Sequence, residues 1–275
     1  LHPEHAERWQ GQDISEPLLI HAEQGLGDTI QFSRYLPLVH DRVKRVMFQI
    51  QPALIPLFKD FSGIDKLITM PGDGSPVVDY RHYVSVMSLP FVFKTTLESV
   101  PTPGPYIHAS PEKVAFWQPR FDRDGTRIGI VWSGNPKHEN DRNRSCRLDD
   151  FARIAKLPGV SLYGLQKGAG LQQVNAINRN ILTDSLGAAF EDFTDTAGAI
   201  ANLDLVISVD TSVAHLAGAM GKAVWVLLPF SPDWRWMVDR DDSPWYPTMR
   251  LFRQQMPGNW GSVFEKVVNR LKEFQ

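Results

Sequence analysis

The chain has 275 residues, of which 43% are hydrophobic and 22% are charged, and its formal net charge is -2 at pH 7. This length is enough for two domains of ordinary size with cores of their own. The near-neutral charge argues against a general affinity for nucleic acid or anionic membranes, and no apolar run approaches the ~20 residues of a membrane span.

The single cysteine, Cys146, excludes an internal disulfide, so we expect a reducing compartment and hence the cytoplasm. The chain begins with Leu1 rather than Met, and its polar first residues do not form a signal peptide. We interpret the sequence as a piece of a longer or processed protein, with residues 1–16 as a linker. No Cys/His cluster has metal-ligand spacing, and we expect neither a metal nor a cofactor.

The first predicted strand, Leu18–His21, leads through a glycine turn into a helix that starts near Asp28. Gly25 and Gly27 would permit positive φ angles and close approach of a ligand to the backbone. Asp28 has two interpretations. It is either a negative charge that favours the helix N-terminus or a base at the mouth of a cleft.

This turn carries only the first two glycines of the dinucleotide-binding fingerprint, because Ile30 stands where the third is expected. The next strand, residues 46–50, also lacks the following acid that would bind a ribose. NAD binding is therefore disfavoured. A helix over residues 53–61 is predicted next, and a proline-rich stretch near residue 105 indicates a domain boundary, which we place between residues 115 and 116.

The second half repeats the pattern of strand, polar loop and helix. A strand over residues 127–132 precedes a loop with Ser133, Asn135, Lys137, Arg142 and Arg144. The loop is either a solvated basic segment or a phosphate clamp at a strand end. Gln166 follows the next strand, residues 160–165, and would join the same edge of the sheet.

Residues 205–229 predict a β-turn-α-turn-β unit, with two continuous apolar strands and a helix of small residues. Asp210, Thr211 and Ser212 form the turn at the helix N-terminus, a position that favours phosphate. His215, inside this helix, is either packed and hydrogen-bonded or part of a cleft. The aromatic loop that includes Asp233 and Arg235 either packs an interface or stacks against a base or sugar.

Five segments together resemble one known family, and they are His21–Thr29, Trp132–Pro136, Val209–Ala217, Asp233–Trp236 and Asp242–Pro247. The family is the glycosyltransferase-like C-terminal region of bacterial tetratricopeptide-repeat proteins. That region is similar in turn to the ADP-heptose:lipopolysaccharide heptosyltransferases of glycosyltransferase family nine. The resemblance covers about residues 17–275, and it implies tetratricopeptide repeats upstream of Leu1.

The resemblance implies an α/β fold of GT-B architecture, in which two Rossmann-like domains with parallel sheets face a cleft. The first domain, residues 17–115, would bind the acceptor. The second, residues 116–275, would bind a nucleotide sugar, and its last helix could pack back on the first. Two positions depart from the family pattern: Ser212 replaces a glycine, and Arg144 with Arg142 stands nearest the place of a lysine.

By the same resemblance, Asp28 is the general base, and the donor diphosphate is bound by Asp210, Thr211, Ser212, Arg142 and Arg144. The remaining cleft candidates are Gly25, Gly27, Ser133, Asn135, Lys137, Gln166, His215, Asp233 and Arg235.

We therefore expect a metal-independent, inverting glycosyltransferase that uses a nucleotide-diphosphate sugar. The acceptor stays open between a saccharide, a lipid-linked glycan and a protein side chain. The two departures motivate an alternative, a non-catalytic nucleotide-sugar-binding or scaffold domain of a repeat protein. A sugar-nucleotide epimerase of the same fold is a third hypothesis, and it would convert the donor without an acceptor.

Overall fold

The computed structural model describes residues 5–72, 78–102, 104–121, 124–176 and 181–274. The chain divides into two compact units, Leu1–Ile107 and His108–Gln275. This boundary precedes the division at residues 115 and 116 that the sequence suggested. The reason is the helix Pro111–Trp117, whose Lys113 ammonium pairs with the Asp195 carboxylate at 2.7 Å and so ties it to the second unit.

Within the described residues, the first unit is built on a five-stranded sheet in which every pair of strands is parallel, in the order β1-β5-β2-β3-β4. Its strands are β1 (Glu7–Arg8), β2 (Leu18–His21), β3 (Val46–Ile50), β4 (Lys66–Thr69) and β5 (His82–Ser85). Its helices are α1 (Leu26–Phe32), α2 (Leu36–His40) and α3 (Leu89–Val92), with 3₁₀ turns at Ser33–Tyr35, Pro52–Leu54, Pro56–Phe58, Val86–Ser88 and Leu97–Ser99.

The segment predicted as a linker is part of the first unit wherever the structure describes it; its residues 1–4 lie outside the described residues. Strand β1 pairs with β5, and Trp9 is completely buried. The Trp9 indole donates a 2.6 Å hydrogen bond to the carbonyl of Gln12. The linker prediction was therefore wrong for these residues, because burial of one large aromatic side chain anchors an otherwise polar stretch.

The second unit has a six-stranded sheet within the described residues, again parallel throughout, in the order β11-β10-β9-β6-β7-β8. Its strands are β6 (Thr126–Val131), β7 (Val160–Gly164), β8 (Asp184–Ser185), β9 (Leu205–Val209), β10 (Val224–Leu228) and β11 (Met249–Arg253). Its helices are α4 (Pro111–Trp117), α5 (Asp141–Arg144), α6 (Ala152–Ala155), α7 (Gln172–Ala176), α8 (Phe193–Ala201), α9 (Ser212–Ala219) and α10 (Trp260–Phe274), with 3₁₀ turns at Gln118–Phe121, Leu148–Phe151, Gly168–Leu171, Gly187–Ala189 and Trp234–Trp236.

The last helix, α10, buries its apolar face in the core of the second unit. Val263, Phe264, Val267 and Leu271 recur at helical spacing and belong to the same cluster as the central strands. The Phe264 ring packs edge-on at 4.8 Å against Phe151. The helix thus finds its packing partner within its own unit.

The helix predicted over residues 53–61 is replaced by the two short 3₁₀ turns Pro52–Leu54 and Pro56–Phe58. Pro56 has no N–H to donate to the carbonyl of Pro52, and its ring would clash with that carbonyl in a regular helix. No helix in the described part of the chain is long and apolar enough to span a membrane.

Each sheet has one point where the strand order reverses. In the first sheet this point lies between β2 and β5, and in the second it lies between β6 and β9. The connections that leave the carboxyl ends of such neighbouring strands diverge, which opens a crevice where ligands of α/β proteins bind. The two reversal points therefore locate the candidate sites.

Candidate functional site

The carboxyl edge of the second sheet gathers most of the predicted donor-binding residues. Ser133 follows β6, Gln166 follows β7, Asp210 follows β9 and Asp233 follows β10. Because all these strands are parallel, their carboxyl ends meet at one edge. Ser133 and Asp210 stand on the two sides of the reversal point.

Helix α9 begins at this edge without a side-chain cap. Its N-cap residue, Thr211, is extended, and the Thr211 hydroxyl pairs at 2.9 Å with the hydroxyl of Ser208 rather than with the helix backbone. Ser212 is the first residue of the helix. The N-terminal N–H groups of an uncapped helix are a binding site for an anion.

The Asp210 carboxylate lies in front of this helix with 13% of its side chain exposed. Burial raises the pKa of Asp210, and the Trp236 indole and the charges of Arg235 and Arg144 oppose that rise only in part. The carboxyl group is therefore more easily protonated than an exposed aspartate.

Arg144 approaches the same edge from α5. Its Nε donates a 3.2 Å hydrogen bond to the Asp141 carboxylate, and 16% of its side chain is exposed. The guanidinium lies directly over Gly134, where an added Cβ would meet Arg144 Nη2 at 2.6 Å and Asp141 Oδ1 at 2.4 Å. Glycine at position 134 thus makes room for the arginine beside the reversal point.

His215 is buried and hydrogen-bonded. Its Nδ1 lies 3.0 Å from the Tyr246 hydroxyl, its Nε2 lies 3.9 Å from Asp210 Oδ1, and its ring stacks on Trp236 at 5.3 Å. The structure therefore supports the packed interpretation of His215 and also places it beside Asp210. Sequence reasoning did not assign Tyr246 to the site, although Tyr246 lies in the Asp242–Pro247 segment that contributes to the family resemblance.

Buried Arg235 forms an ion pair with partly exposed Asp233 on the loop after β10. Arg235 Nη1 lies 2.7 Å from Asp233 Oδ1, and the Arg235 guanidinium covers the Trp234 ring at 5.0 Å. Arg235 is 7% exposed, yet its charge reaches Asp210. Both residues thus belong to the group that the sequence predicted for this edge.

The Gln166 amide is hydrogen-bonded to the protein backbone at this edge and does not face a ligand. Its Oε1 accepts hydrogen bonds from the N–H groups of Trp132 and Ser133, at 3.2 and 2.9 Å. Its Nε2 donates to the carbonyls of Ser133 and Lys167, at 3.0 and 2.9 Å. With 3% exposure, the Gln166 side chain holds the loops after β6 and β7 together.

The outer part of the loop after β6 is solvated. Asn135 Oδ1 accepts a 3.0 Å hydrogen bond from the N–H of Lys137, which closes a local turn. The side chains of Lys137 and Arg142 are exposed. Of the basic residues on this loop, Arg144 is therefore the one that the structure places beside Asp210.

In the first unit, Asp28 caps α1. Asp28 Oδ2 accepts a 2.8 Å hydrogen bond from the N–H of Gly25, which holds its negative charge at the N-terminus of α1, and its role as a base stays a prediction. The expectation of positive φ angles was wrong. Gly25 has a φ of -72°, and Gly27 lies within α1. Glycine at position 25 is explained by proximity instead, because an added Cβ would lie 3.1 Å from Asp28 Oδ2.

Five more polar residues surround this turn, and sequence reasoning did not select them. The Thr29 hydroxyl donates to Gln51 Oε1 at 2.9 Å, and Gln51 Nε2 donates to the carbonyl of Gln24 at 2.9 Å. The Ser85 hydroxyl donates to Glu23 Oε1. Glu23 follows β2 and Ser85 ends β5, and these two strands flank the reversal point of the first sheet.

Among the described residues, no group of three or more His, Cys, Asp or Glu side chains could hold a metal ion. Cys146 is buried, and burial raises the pKa of its thiol well above the usual value. A protonated, enclosed thiol is neither a good nucleophile nor a good metal ligand.

Two parallel α/β sheets with helices, each with its own reversal point, make up the fold of the GT-B glycosyltransferases. A glycosyltransferase of family 9 from Veillonella parvula superposes with a TM-score of 0.69 at 12% identity, covering 96% of this chain and 99% of its own. The ADP-heptose lipopolysaccharide heptosyltransferase II of E. coli superposes with a TM-score of 0.64 at 14% identity, covering 94% and 100%. At these identities the likeness shows the fold.

The sequence itself is similar to protein FlbA of Caulobacter vibrioides, at 24% identity over 97% of this chain. The chain spans about half of that relative, 48% of its length. No family model matches the sequence.

Proposed function

We propose that this protein is a glycosyltransferase that takes its sugar from a nucleotide-diphosphate donor. The observation that carries the proposal is the reversal point of the second sheet, where the uncapped α9 N-terminus lies beside the buried Asp210 carboxylate and within reach of the Arg144 charge. The family relationship to heptosyltransferases, and with it the upstream tetratricopeptide repeats and a cytoplasmic location, belongs to this proposal. The fold and the sequence motifs support the heptosyltransferase-like relationship, whereas the repeats follow only from the resemblance and the location only from the single cysteine.

The donor diphosphate would bind at this reversal point. The α9 N–H groups would offset its charge, and the guanidinium of Arg144 would add a cation, with Thr211 and Ser212 offering hydroxyls. These groups would act most strongly as the diphosphate leaves and its negative charge grows, which is the condition for lowering the barrier to transfer. Transfer with inversion follows if the acceptor attacks opposite the leaving diphosphate.

Asp28 is the proposed general base for the acceptor hydroxyl. The substitution Asp28→Asn tests this role cleanly, because an asparagine oxygen can still accept the N–H of Gly25 and keep α1 capped. Removing a general base costs about 10²- to 10⁴-fold in rate. We expect Asp28→Asn to lose sugar transfer to that extent while nucleotide binding and the melting temperature stay near those of the unsubstituted protein.

The measurement is release of nucleoside diphosphate from a panel of nucleotide sugars, with and without acceptors. Asp60→Asn, at an exposed position of the first unit, is the matched control and should retain full activity. Full activity in Asp28→Asn would remove Asp28 as the base, and the absence of turnover with every donor would argue against an enzyme.

A non-catalytic nucleotide-sugar-binding domain is the second candidate. The engagement of Asp28 in capping α1 favours it, since a residue with a local structural role needs no catalytic one. A ligand at 100-fold its dissociation constant adds about 2.7 kcal/mol to the stability of a protein. Thermal shifts without turnover would support binding alone, and no shift with any nucleotide would support a scaffold.

A further inference from the structure

The loop after β10 contains a strained backbone position, Met237. Its φ is 53° and its ψ is -170°. This combination lies outside the left-handed helical region, in conformational space that is occupied almost only by glycine. Lys94, the other non-glycine residue with positive φ in the described part of the chain, follows the end of α3, where a left-handed residue is common. Strain of the kind found at Met237 persists only where the surrounding contacts impose it.

Arg253, the last residue of β11, supplies contacts on both sides of Met237. Its Nη2 donates hydrogen bonds to the carbonyls of Trp236 and Arg240, the latter at 3.0 Å, and its Nε donates to the Arg240 carbonyl at 3.2 Å. A guanidinium holds its donors in one rigid plane. These bonds therefore fix the backbone before and after Met237 relative to β11.

Trp236, directly before Met237, is the residue that this turn directs into the candidate site. Its side chain is 1% exposed, and its ring stacks on the His215 ring at 5.3 Å. His215 Nε2 lies 3.9 Å from Asp210 Oδ1, in front of the uncapped start of α9. The orientation of the Trp236 ring therefore depends on a peptide group whose carbonyl Arg253 binds.

We propose that Arg253 is a positioning residue of this site, which holds the strained turn at Met237 and so keeps Trp236 packed against His215 beside Asp210. The consequence for nucleotide binding rests on the proposed function, whereas the packing of Trp236 does not. Without Arg253, the turn relaxes to a backbone conformation that methionine prefers, and the Trp236 ring leaves His215. Glycine at position 237 adopts the held conformation without strain, so it should make Arg253 dispensable for this packing.

The test follows the Trp236 indole by ¹⁹F NMR on the whole chain, labelled with 5-fluorotryptophan and free of ligand. The signals of Trp236 and of Trp132, which lies in the core of the same unit, are assigned by substituting each with phenylalanine. In Arg253→Gln we expect the Trp236 signal to move toward that of a solvent-exposed indole, while the Trp132 signal stays and reports an intact fold. Arg250→Gln removes the same charge from the same strand and should move neither signal.

Glycine at position 237 separates positioning from a general loss of structure. Adding Met237→Gly to Arg253→Gln should return the Trp236 signal to its original place, whereas adding Met237→Ala should not, because alanine keeps the strain. Both substitutions remove the methionine thioether, and only glycine relieves the backbone. In the otherwise unsubstituted protein, Met237→Gly should therefore melt about 2 °C or more above Met237→Ala.

Nucleotide binding tests whether the position of Trp236 serves the site. If ADP or UDP binds the unsubstituted protein in calorimetry, its dissociation constant in Arg253→Gln should rise about fivefold or more, because the binding-competent population falls. Adding Met237→Gly should restore the constant.

An unchanged Trp236 signal in Arg253→Gln would overturn the proposal. So would a failure of Met237→Gly to restore that signal, equal melting temperatures of Met237→Gly and Met237→Ala, or unchanged nucleotide binding while the signal moves. Binding of neither ADP nor UDP to the unsubstituted protein would instead count against the proposed donor site. The NMR and melting results would still decide whether Arg253 positions Trp236, since they involve no nucleotide.

Discussion

The carboxyl edges of the two sheets share one construction and differ in charge. Each lies at a reversal point, and at each a glutamine amide bridges the loop that follows a strand: Gln51 in the first unit and Gln166 in the second. Around this common frame, the first edge carries the carboxylates Glu23 and Asp28, while the second has an uncapped helix and pairs its arginines with aspartates, as in Arg144–Asp141 and Arg235–Asp233. The scaffold thus decides where a ligand binds, and the loop residues decide its chemistry.

Burial separates the two edges as strongly as charge does. Gln166, His215 and Arg235 are each less than a tenth exposed, so the second edge is a packed polar network. The first edge presents the exposed side chain of Glu23 to solvent. A buried polar network specifies one geometry, which is what the proposed diphosphate site would require, whereas exposed side chains leave an edge open to solvent.

The largest expected effect comes from removing the Gln166 side chain, whose hydrogen bonds hold the loops of the second edge together. Gln166→Ala would leave two backbone N–H groups and the carbonyls of Ser133 and Lys167 without their partner. Since an unpaired buried polar group costs about 1–3 kcal/mol, we expect a loss of about 3 kcal/mol in the free energy of unfolding. Gln51→Ala, at the less buried counterpart, should lose about 1 kcal/mol or less in the same urea titration. Equal losses would contradict the difference in burial.

The next effect concerns the charge of the second edge. Arg144→Ala should raise the dissociation constant for nucleoside diphosphates about 10- to 100-fold, because a charge-assisted hydrogen bond contributes about 1.5–3 kcal/mol. Arg142→Ala removes the same charge from an exposed position two residues away and should change the constant by less than about threefold. Isothermal titration calorimetry measures both. A larger loss in Arg142→Ala would mean that the solvated arginine is the phosphate ligand.

The smallest effect is a pH dependence of stability. Because the folded-state pKa of Asp210 is raised, the folded protein binds more protons than the unfolded chain between the two pKa values, and its stability falls as the pH rises through that window. Asp210→Asn has no carboxyl group to ionise, so the variant lacks this loss of stability with rising pH. The Asp210→Asn variant should therefore become more stable relative to the unsubstituted protein as the pH rises above about 4, the ordinary pKa of an aspartate. The measurement is the free energy of unfolding of both proteins as a function of pH.

Asp204 provides the control of opposite sign. Its hydrogen bond and ion pair with Arg127 lower its pKa, so its contribution to stability is present at neutral pH and is lost as the pH falls through the lowered pKa. Asp204→Asn should accordingly be destabilised near pH 7, and the deficit should shrink toward acid pH. The same trend in both variants would contradict the assigned directions.

The central strands were predictable because their cause is local. Leu18–His21, Val46–Ile50 and Leu205–Val209 are short apolar runs, and parallel strands covered on both faces need no alternation. Strands β1 and β11 were not predicted. β11, Met249–Arg253, carries two arginines and is a strand because it pairs with β10 along five residues, which no local pattern encodes.

The candidate site also contains some residues whose positions could be predicted from the sequence and others whose roles could not. The Asp210–Ser212 turn and the Asp28 turn follow from helix-start chemistry and could be located from the sequence. The roles of Gln166 and Arg142 could not. Gln166 turned inward to pair with four backbone groups, and Arg142 stayed in solvent while Arg144 reached the edge.

The sequence by itself determined the class of fold, the two helix-start turns and the small residues beside them, since strand runs, capping residues and glycines act over a few positions of chain. Only the tertiary structure decided which distant side chains meet. The Glu23–Ser85 contact joins residues 62 positions apart and the His215–Tyr246 contact joins residues 31 apart. Parallel sheets bring sequentially remote strand ends to one edge, so the chemistry of that edge is a property of strand order.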